Sequence, residues 1–193
     1  MIVIAGSPVA ELGPDGMHRA EGLGVRVARN LIRQGEQVEL IGRIGADREG
    51  DELTLSLARD GIGHVALMRD AAHITPIGSS ARGIELDYGD VQLGLRYLTN
   101  FTAVLLLGPT SRTLVQGVAD EAAYCGAHLI VVGEEFKGQG EGSRSDSGSL
   151  GTPTPLHQVA PPLFVPHPQV ESAEFEAVLT ALLMASEGGA TKE

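Results

Sequence analysis

The sequence has few of the residues that bind nucleic acid or form disulfides. Its 193 residues include one cysteine, Cys125, so no internal disulfide can form and a reducing compartment is expected. Lysine occurs only at Lys137 and Lys192, and 25 acidic residues against 14 basic ones give a formal charge of −11. Because nucleic acids and anionic membranes bind clustered Lys and Arg, neither is predicted as a partner.

Long hydrophobic runs are also missing. The first apolar run, residues 2–5, is too short for a membrane span or a signal peptide, and no basic segment precedes it. A soluble cytoplasmic protein is therefore predicted. Tryptophan is absent and aromatic residues make up only 4%, so a core of Leu, Val, Ile and Ala is expected, as in alternating strands and helices.

Motifs for metals and nucleotides are absent too. The six histidines form no i, i+4 pair, so no metal site is predicted. Gly22-Leu23-Gly24 lacks the third glycine of a dinucleotide fingerprint, because Val27 stands there, and no Gly-Lys-Ser/Thr loop occurs. Tight helix packing is the favoured interpretation of these glycines, and no cofactor is predicted. Cys125 has no neighbouring base and is interpreted as a small buried residue.

What the chain does have is an alternation of strand and helix patterns up to about residue 133. Buried strands are predicted at 2–5, 38–41, 62–68, 103–107 and 128–132, and helices at 24–35, 49–59 and 112–124. Residues 42–45 are interpreted as a glycine-rich turn, and 83–88 alternate like an exposed antiparallel strand. This order predicts an α/β fold with a mainly parallel central sheet.

The pattern changes after residue 136. Residues 137–160 are dominated by Gly, Ser, Thr and Pro, which cannot bury enough apolar surface to offset the entropy of ordering, so a flexible linker is predicted. A short strand at 163–165 and a final helix follow. The helix carries an apolar stripe predicted to face the core, made of Phe175, Val178, Leu179, Leu182 and Leu183. The predicted organisation is a core at 1–136, the linker at 137–160, and a segment at 161–193 that packs back on the core.

The first half carries a recognisable signature. Gly22-Leu23-Gly24 opens a helix, and a strand then leads into Gly45, Asp47 and Gly50 at fixed spacing. This pattern resembles the amino-terminal half of the PfkB, or ribokinase-like, carbohydrate kinases, and the resemblance covers residues 1–133. It implies a ribokinase-like three-layer α/β/α fold whose C-terminal part is truncated. It also implies that Asp47 is a structural turn residue rather than a catalytic one.

The resemblance further implies where a ligand would bind. In the family, Asn and Asp side chains follow the first strand, and a Gly-Gly-x-Gly-x-Asn turn opens the next helix. Here Val9 replaces the Asn and Glu11 replaces the Asp after the first strand, and Arg26 replaces the Asn of the turn. Glu11, Gly22, Gly24 and Arg26 are therefore the predicted substrate-binding residues, for a small sugar or nucleoside. The segment before Gly22 is short, so a reduced substrate lid is expected.

In the family, the catalytic base lies in a Gly-Ala-Gly-Asp sequence at the start of a helix. Aligning the final helix of this chain places residues 170–173 on that sequence, with Ala173 at the base position and Glu171 beside the phosphate. Alanine cannot accept a proton, and a second anion repels phosphate. Because a general base contributes roughly 10²–10⁴-fold, no catalytic residue is predicted and phosphotransfer is predicted to be lost.

Two alternatives to a non-catalytic binding protein remain open. The chain could be an active kinase, with ATP and Mg²⁺ as cofactors, that uses Asp47, Asp87 or Glu134, alone or across a dimer. It could also be a purely structural module, because a truncated sheet leaves an exposed edge that favours a homodimer.

Overall fold

The structure is a computed structural model that describes residues 1–133, 161–168 and 172–188, with the side chains of 187 and 188 excepted. The predicted linker at 137–160 lies outside these ranges, and so do Glu134, Val170 and Glu171. Within them the chain forms eight strands and five helices. None of these helices is long and apolar enough to cross a membrane.

Six strands form a parallel sheet. They are β1 (Ile2–Ala5), β4 (Val38–Gly45), β5 (Leu67–Asp70), β6 (Ala103–Leu106), β7 (His128–Val132) and β8 (Leu163–Val165). Their order across the sheet is β5-β4-β1-β6-β7-β8, and all five pairings are parallel. Two further strands, β2 (Val9–Leu12) and β3 (His18–Glu21), form an antiparallel hairpin.

Helices cover both faces of the sheet. They are α1 (Leu23–Arg33), α2 (Arg48–Arg59), α3 (Tyr88–Tyr97), α4 (Arg112–Cys125) and α5 (Ala173–Gly188). Because side chains alternate along a strand, Ile2 and Ile4 of β1 face a core formed with α1, α2 and α5. Val3 and Ala5 face a second core, formed with α3 and α4. The predicted three-layer α/β/α fold with a mainly parallel sheet is confirmed.

Three predictions about individual strands are wrong. Residues 42–45 are not a turn, because they continue β4 and pair with β5. The strand predicted at 62–68 occurs at 67–70 instead, after a turn in which the amide of Leu67 donates to the carbonyl of His64. Residues 83–87 form no strand and lead into α3, whose start is fixed by a capping box between Asp87 and Asp90.

The final helix, α5, packs against the core that it shares with α1. Leu179 and Leu183 are fully buried, and Phe175 and Leu182 pack against the same core. Val178 is wrongly placed in the predicted stripe, since 51% of it is exposed. A helix this rich in apolar residues has no single unambiguous apolar face, so periodicity alone cannot select the buried positions.

Candidate functional site

A cleft of about 820 Å³ opens where several parallel strands end. Its floor is formed by the segment after β1 (6–9), the segment after β6 (107–109) and the end of β7 (132–133). Ligands of open α/β sheets bind at the carboxyl ends of the strands, where loops from neighbouring strands converge. The fold therefore places this cleft at the part of the sheet best suited to binding.

All four predicted substrate-binding residues line this cleft, namely Glu11, Gly22, Gly24 and Arg26. Glu11 projects from β2 and is exposed. Its carboxylate makes no hydrogen bond or ion pair with any residue in the described ranges. An ionised carboxylate is a strong acceptor, so Glu11 can accept hydrogen bonds from ligand hydroxyl groups.

The glycines shape the start of α1. Gly22 is the N-cap, with φ 113°, a backbone conformation that favours glycine. Gly24 packs closely, because a Cβ atom there would lie 3.0 Å from Leu107 Cδ1 and 3.2 Å from Ile4 Cγ2. The first amides of α1 have no intrahelical acceptor, and residues 22–26 line the cleft, so these amides are candidate donors to a ligand.

The β2–β3 hairpin forms one wall of the cleft. Val9, Glu11 and Glu21 line the cleft from one face of the hairpin, while Ala10 and Ala20 are buried on the other face. Neither strand of the hairpin was predicted from the sequence, because two strands of four residues each are too short to show a clear alternation. The turn residues Gly13 and Gly16 were the available signal.

The hairpin is anchored to α2 through Glu52. The Glu52 carboxylate accepts hydrogen bonds from the His18 amide (2.9 Å) and from the Arg48 side chain (2.9 Å), and it pairs with His18 Nδ1 (2.8 Å). These contacts, those of His18 first, lower the pKa of Glu52 to about 2. An ionised Glu52 therefore holds this wall in place at neutral pH.

Residues 79–86 form the opposite wall without any helix or strand. At Gly83 this segment crosses the backbone of the β1 loop so closely that a Cβ atom would lie 2.2 Å from the Ser7 carbonyl oxygen. Residues 79–86 were not predicted to belong to the site. Their only local signals were glycine and serine, which mark loops in general.

Asp47 anchors the chain just before that segment. Its carboxylate accepts hydrogen bonds from the Thr75 amide (2.7 Å), the Thr75 hydroxyl (2.6 Å) and the Gly50 amide (2.8 Å). Burial opposes its ionisation, but these hydrogen bonds outweigh burial and lower the pKa of Asp47. The interpretation of Asp47 as a structural turn residue is therefore confirmed, since it caps α2 and fixes Thr75.

Helix α5 reaches the border of the cleft through an ion pair. Arg26 Nε donates to Glu176 Oε1 at 2.5 Å, and the two side chains are 31% and 14% exposed. The pair joins the first turns of α1 and α5, so α5 begins on the same side of the sheet as the cleft. Ala173, aligned with the family's base, is exposed and is not among the residues that line the cleft.

The alternative catalytic candidates have structural roles where the structure describes them. Asp47 is engaged as above, and Asp87 accepts a hydrogen bond from the Asp90 amide (2.9 Å) at the start of α3. Glu134 lies outside the described residues. Among those residues, no group of three or more His, Cys, Asp or Glu side chains could hold a metal ion.

Cys125 was predicted to be buried, and this prediction is wrong. It lies at the end of α4 and is exposed, because the helix ends there at Gly126 in the left-handed conformation. Desolvation and the nearby Glu121 carboxylate raise the pKa of its thiol. A raised pKa keeps the sulfur protonated, which makes it a poor nucleophile.

The comparison with solved structures identifies the fold. No family model and no curated protein matches the chain. Among solved structures, a carbohydrate kinase from Agrobacterium tumefaciens matches at TM-score 0.52 and 17% identity, over 68% of this chain and 52% of that one. A PfkB protein from Polaromonas sp. JS666 matches at 0.52 and 17%, over 67% and 54%. The fructokinase of Halothermothrix orenii matches at 0.50 and 19%, over 67% and 56%.

The fold and the cleft define an open three-layer α/β protein with a cleft at the carboxyl ends of parallel strands. More narrowly, the fold is that of the ribokinase-like, PfkB-type carbohydrate kinases, as the amino-terminal signature predicted. The chain spans about half the length of these kinases, with 52% to 56% of each covered.

Proposed function

We propose that this chain is a carbohydrate-kinase-like protein that binds a small sugar or nucleoside in the cleft and does not transfer phosphate. The observation that carries the proposal is the Arg26–Glu176 ion pair at the border of the cleft. The pair occupies Arg26, the one cationic side chain of α1 that lines the cleft, and it holds the Glu176 carboxylate in the first turn of α5.

Binding is supported by the hydrogen-bonding groups of the cleft. Glu11 offers an unpaired acceptor, and the open amides at the start of α1 offer donors on a neighbouring wall. Hydroxyl groups both donate and accept, so a polyol can satisfy both sets. A cleft of about 820 Å³ is within the range of small-ligand pockets.

Loss of phosphotransfer is supported by the start of α5. On the family alignment the proton acceptor is replaced by the methyl group of Ala173, and the first turn of α5 carries Glu174 and Glu176. Carboxylates at a helix start repel a phosphate that the same position would otherwise attract. These residues do not fit the terminal phosphate of ATP. A general base and anion-binding donors each contribute roughly 10²-fold or more, so losing both removes useful catalysis.

The test measures binding and catalysis on the same preparation. Isothermal titration against a panel of sugars and nucleosides should find at least one that binds, and incubation of that compound with ATP and Mg²⁺ should give no phosphorylated product above background. Glu11→Gln should weaken binding by roughly 10-fold, because hydrogen bonds to charged groups contribute about 1.5–3 kcal/mol. Asp120→Asn, an exposed acid-to-amide change on α4, is the matched control and should leave binding unchanged.

Either of two results would overturn the proposal. Phosphorylated product that disappears in Asp87→Ala would establish the active-kinase alternative. The absence of binding by every member of the panel would instead leave the structural-module alternative.

A further inference from the structure

Arg29 of α1 joins three elements at the end of the β2–β3 hairpin. Its Nε atom donates to Asp60 Oδ2 at 2.8 Å, its Nη1 atom to Glu21 Oε1 at 2.6 Å, and its Nη2 atom to the carbonyl oxygen of Ala20 at 2.8 Å. Asp60 is the C-cap of α2, and Ala20 and Glu21 end β3. One side chain therefore fixes the end of the hairpin relative to α1 and to α2.

The orientation of the Glu21 carboxylate depends on this contact. The side chains of Arg29 and Glu21 are only 20% and 22% exposed, so their ion pair is screened by salt less than an exposed pair is. A guanidinium is planar and its donors point in fixed directions, which a lysine ammonium cannot reproduce. Since Asp60 and the backbone hold Nε and Nη2, the direction from which Nη1 meets Glu21 is set as well.

Glu21 also belongs to the wall of the cleft. It pairs with Val9 in the hairpin register and lies on the same face of the hairpin as Glu11. Its Oε1 atom is occupied by Arg29, whereas its Oε2 atom accepts no hydrogen bond from the described part of the chain. Arg29 itself does not line the cleft. The pair thus presents to the cleft an oriented carboxylate with one oxygen left to accept.

The charge balance at this wall favours a donor group on the ligand. One guanidinium faces two carboxylates, Glu21 and Asp60, so the three side chains carry one net negative formal charge. A ligand anion placed beside Glu21 would be repelled. A ligand hydroxyl can donate to the free oxygen instead, and hydrogen bonds to a carboxylate are among the strong ones.

We propose that Glu21 is a specificity-determining residue of the cleft, whose Oε2 atom accepts a hydrogen bond from a ligand hydroxyl, and that Arg29 is its positioning residue. The inference rests on the proposed ligand binding in the cleft and names the two side chains that select the hydroxyl. Arg29 acts on the ligand only through Glu21. Its effect on affinity must therefore disappear when Glu21 no longer accepts.

A double-mutant cycle in ligand affinity tests the pair. Isothermal titration of the parent protein with D-ribose, D-fructose and adenosine selects the probe that binds most tightly. Glu21→Gln and Arg29→Met should each weaken binding of this probe roughly 10-fold, and the double variant should bind no more weakly than either single variant. Independent effects would multiply to roughly 100-fold and would refute the positioning role of Arg29. An affinity that Glu21→Gln left unchanged would overturn the inference while leaving ligand binding intact.

Two further variants separate positioning from stability. Asp60→Asn weakens the contact of Arg29 with α2 but leaves Glu21 in place, so it should lower Tm without changing affinity. Arg29→Lys keeps the charge but loses the three-way contact, so its affinity should lie between those of the parent and Arg29→Met. It also completes the cycle with Glu21→Gln if Arg29→Met does not fold. Equal losses of affinity in Asp60→Asn and Arg29→Met would assign the effect to the packing of α1 on α2 and overturn the positioning role.

Monodeoxy analogues of the selected probe identify the contacted hydroxyl. One analogue should bind the parent protein roughly 10-fold more weakly than the probe, and Glu21→Gln should not weaken its binding further. If Glu21→Gln weakened the binding of every analogue, the hydroxyl contact would be wrong. Binding of none of the three probes to the parent protein would count against both this inference and the proposed function.

Discussion

At the scale of single residues, Asp47 joins two parts of the molecule that are 28 positions apart in sequence. One carboxylate caps α2 through Gly50 and holds Thr75, which precedes the wall of the cleft at 79–86. We expect Asp47→Ala to lower the free energy of unfolding by about 1–3 kcal/mol, from the lost cap and the unpaired Thr75 groups. Urea denaturation measures the change.

The control for this prediction is Asp51→Ala. Asp51 lies in the first turn of the same helix, but its side chain is 63% exposed and its partner Arg69 is 44% exposed. Exposed ion pairs contribute about 0–1 kcal/mol, so the control should be nearly neutral. An equal loss of unfolding free energy in the two variants would mean that Asp47 contributes only as a negative charge near the start of α2, and not through its hydrogen bonds.

Glu52 gives a prediction about pH. Its pKa is lowered to about 2 in the folded state from an ordinary value of 4.5, so its contribution to stability is complete above pH 4.5. That contribution is lost as the pH falls from 4.5 toward 2, because the carboxylate then becomes protonated. Glu52→Gln should therefore lower Tm at pH 7, and the gap between variant and parent should narrow below pH 4.5.

Thermal melts of both proteins from pH 7 to pH 2.5 test this behaviour. Glu49→Gln, on the same helix, serves as the reference, since the Glu49 carboxylate forms no ion pair or side-chain hydrogen bond with the described part of the chain. A Tm difference between variant and parent that stayed constant down to pH 3 would show that the stabilising contacts of His18 and Arg48 with Glu52 do not depend on its charge.

Part of the candidate site could be predicted from the sequence. Glu11, Gly22, Gly24 and Arg26 follow strands or open a helix at family-like spacing, so their positions at one end of the sheet could be predicted. The pairing of Arg26 with Glu176 could not, because 150 positions separate them and only the packing of α5 brings them together.

At the scale of elements, the docking of α5 depends on few side chains. Leu179 and Leu183 are fully buried against the core shared with α1, whereas Val178 is 51% exposed. We expect Leu183→Ala to lower the free energy of unfolding by about 2–5 kcal/mol, as for other fully buried leucines. Val178→Ala should cost well under 1 kcal/mol, since surface substitutions stay near ±0.5 kcal/mol.

Chemical denaturation of both variants checks this contrast, and the Arg26–Glu176 pair provides a second readout. If α5 is held mainly by its leucines, Glu176→Gln should cost much less stability than Leu183→Ala. A larger cost for Glu176→Gln would assign the docking to the ion pair instead.

Elements with strong periodicity were predicted well, and the short ones were not. Buried apolar runs such as β1, β6 and β7 have no other interpretation in a chain of this composition. The start of α3 was missed because its signal is the Asp87–Asp90 capping box, while the preceding residues 83–87 alternate like a strand. Local pattern cannot decide such a segment, because its partners lie in the β1 loop.

At the scale of the whole molecule, the sheet ends at β8 in the described part of the chain. This strand has three residues and is preceded by Pro162 and followed by Pro166. Proline lacks an amide hydrogen, and short strands with flanking prolines resist the addition of another strand. The homodimer predicted from an exposed edge stays a prediction, and this edge is a poor place for it.

The net charge of −11 gives the last prediction. A large excess of one sign destabilises a compact state by self-repulsion, while exposed pairs such as Asp51–Arg69 are weakened by the same salt that screens the repulsion. Because exposed pairs contribute little each, we expect repulsion to dominate, so Tm should rise between low salt and 0.15 M NaCl, where the Debye length falls to about 8 Å. Sucrose in place of NaCl controls for preferential exclusion, which salts and sucrose share. A Tm that fell on adding NaCl would mean that networks such as Arg29 with Glu21 and Asp60 outweigh the repulsion between the remaining carboxylates.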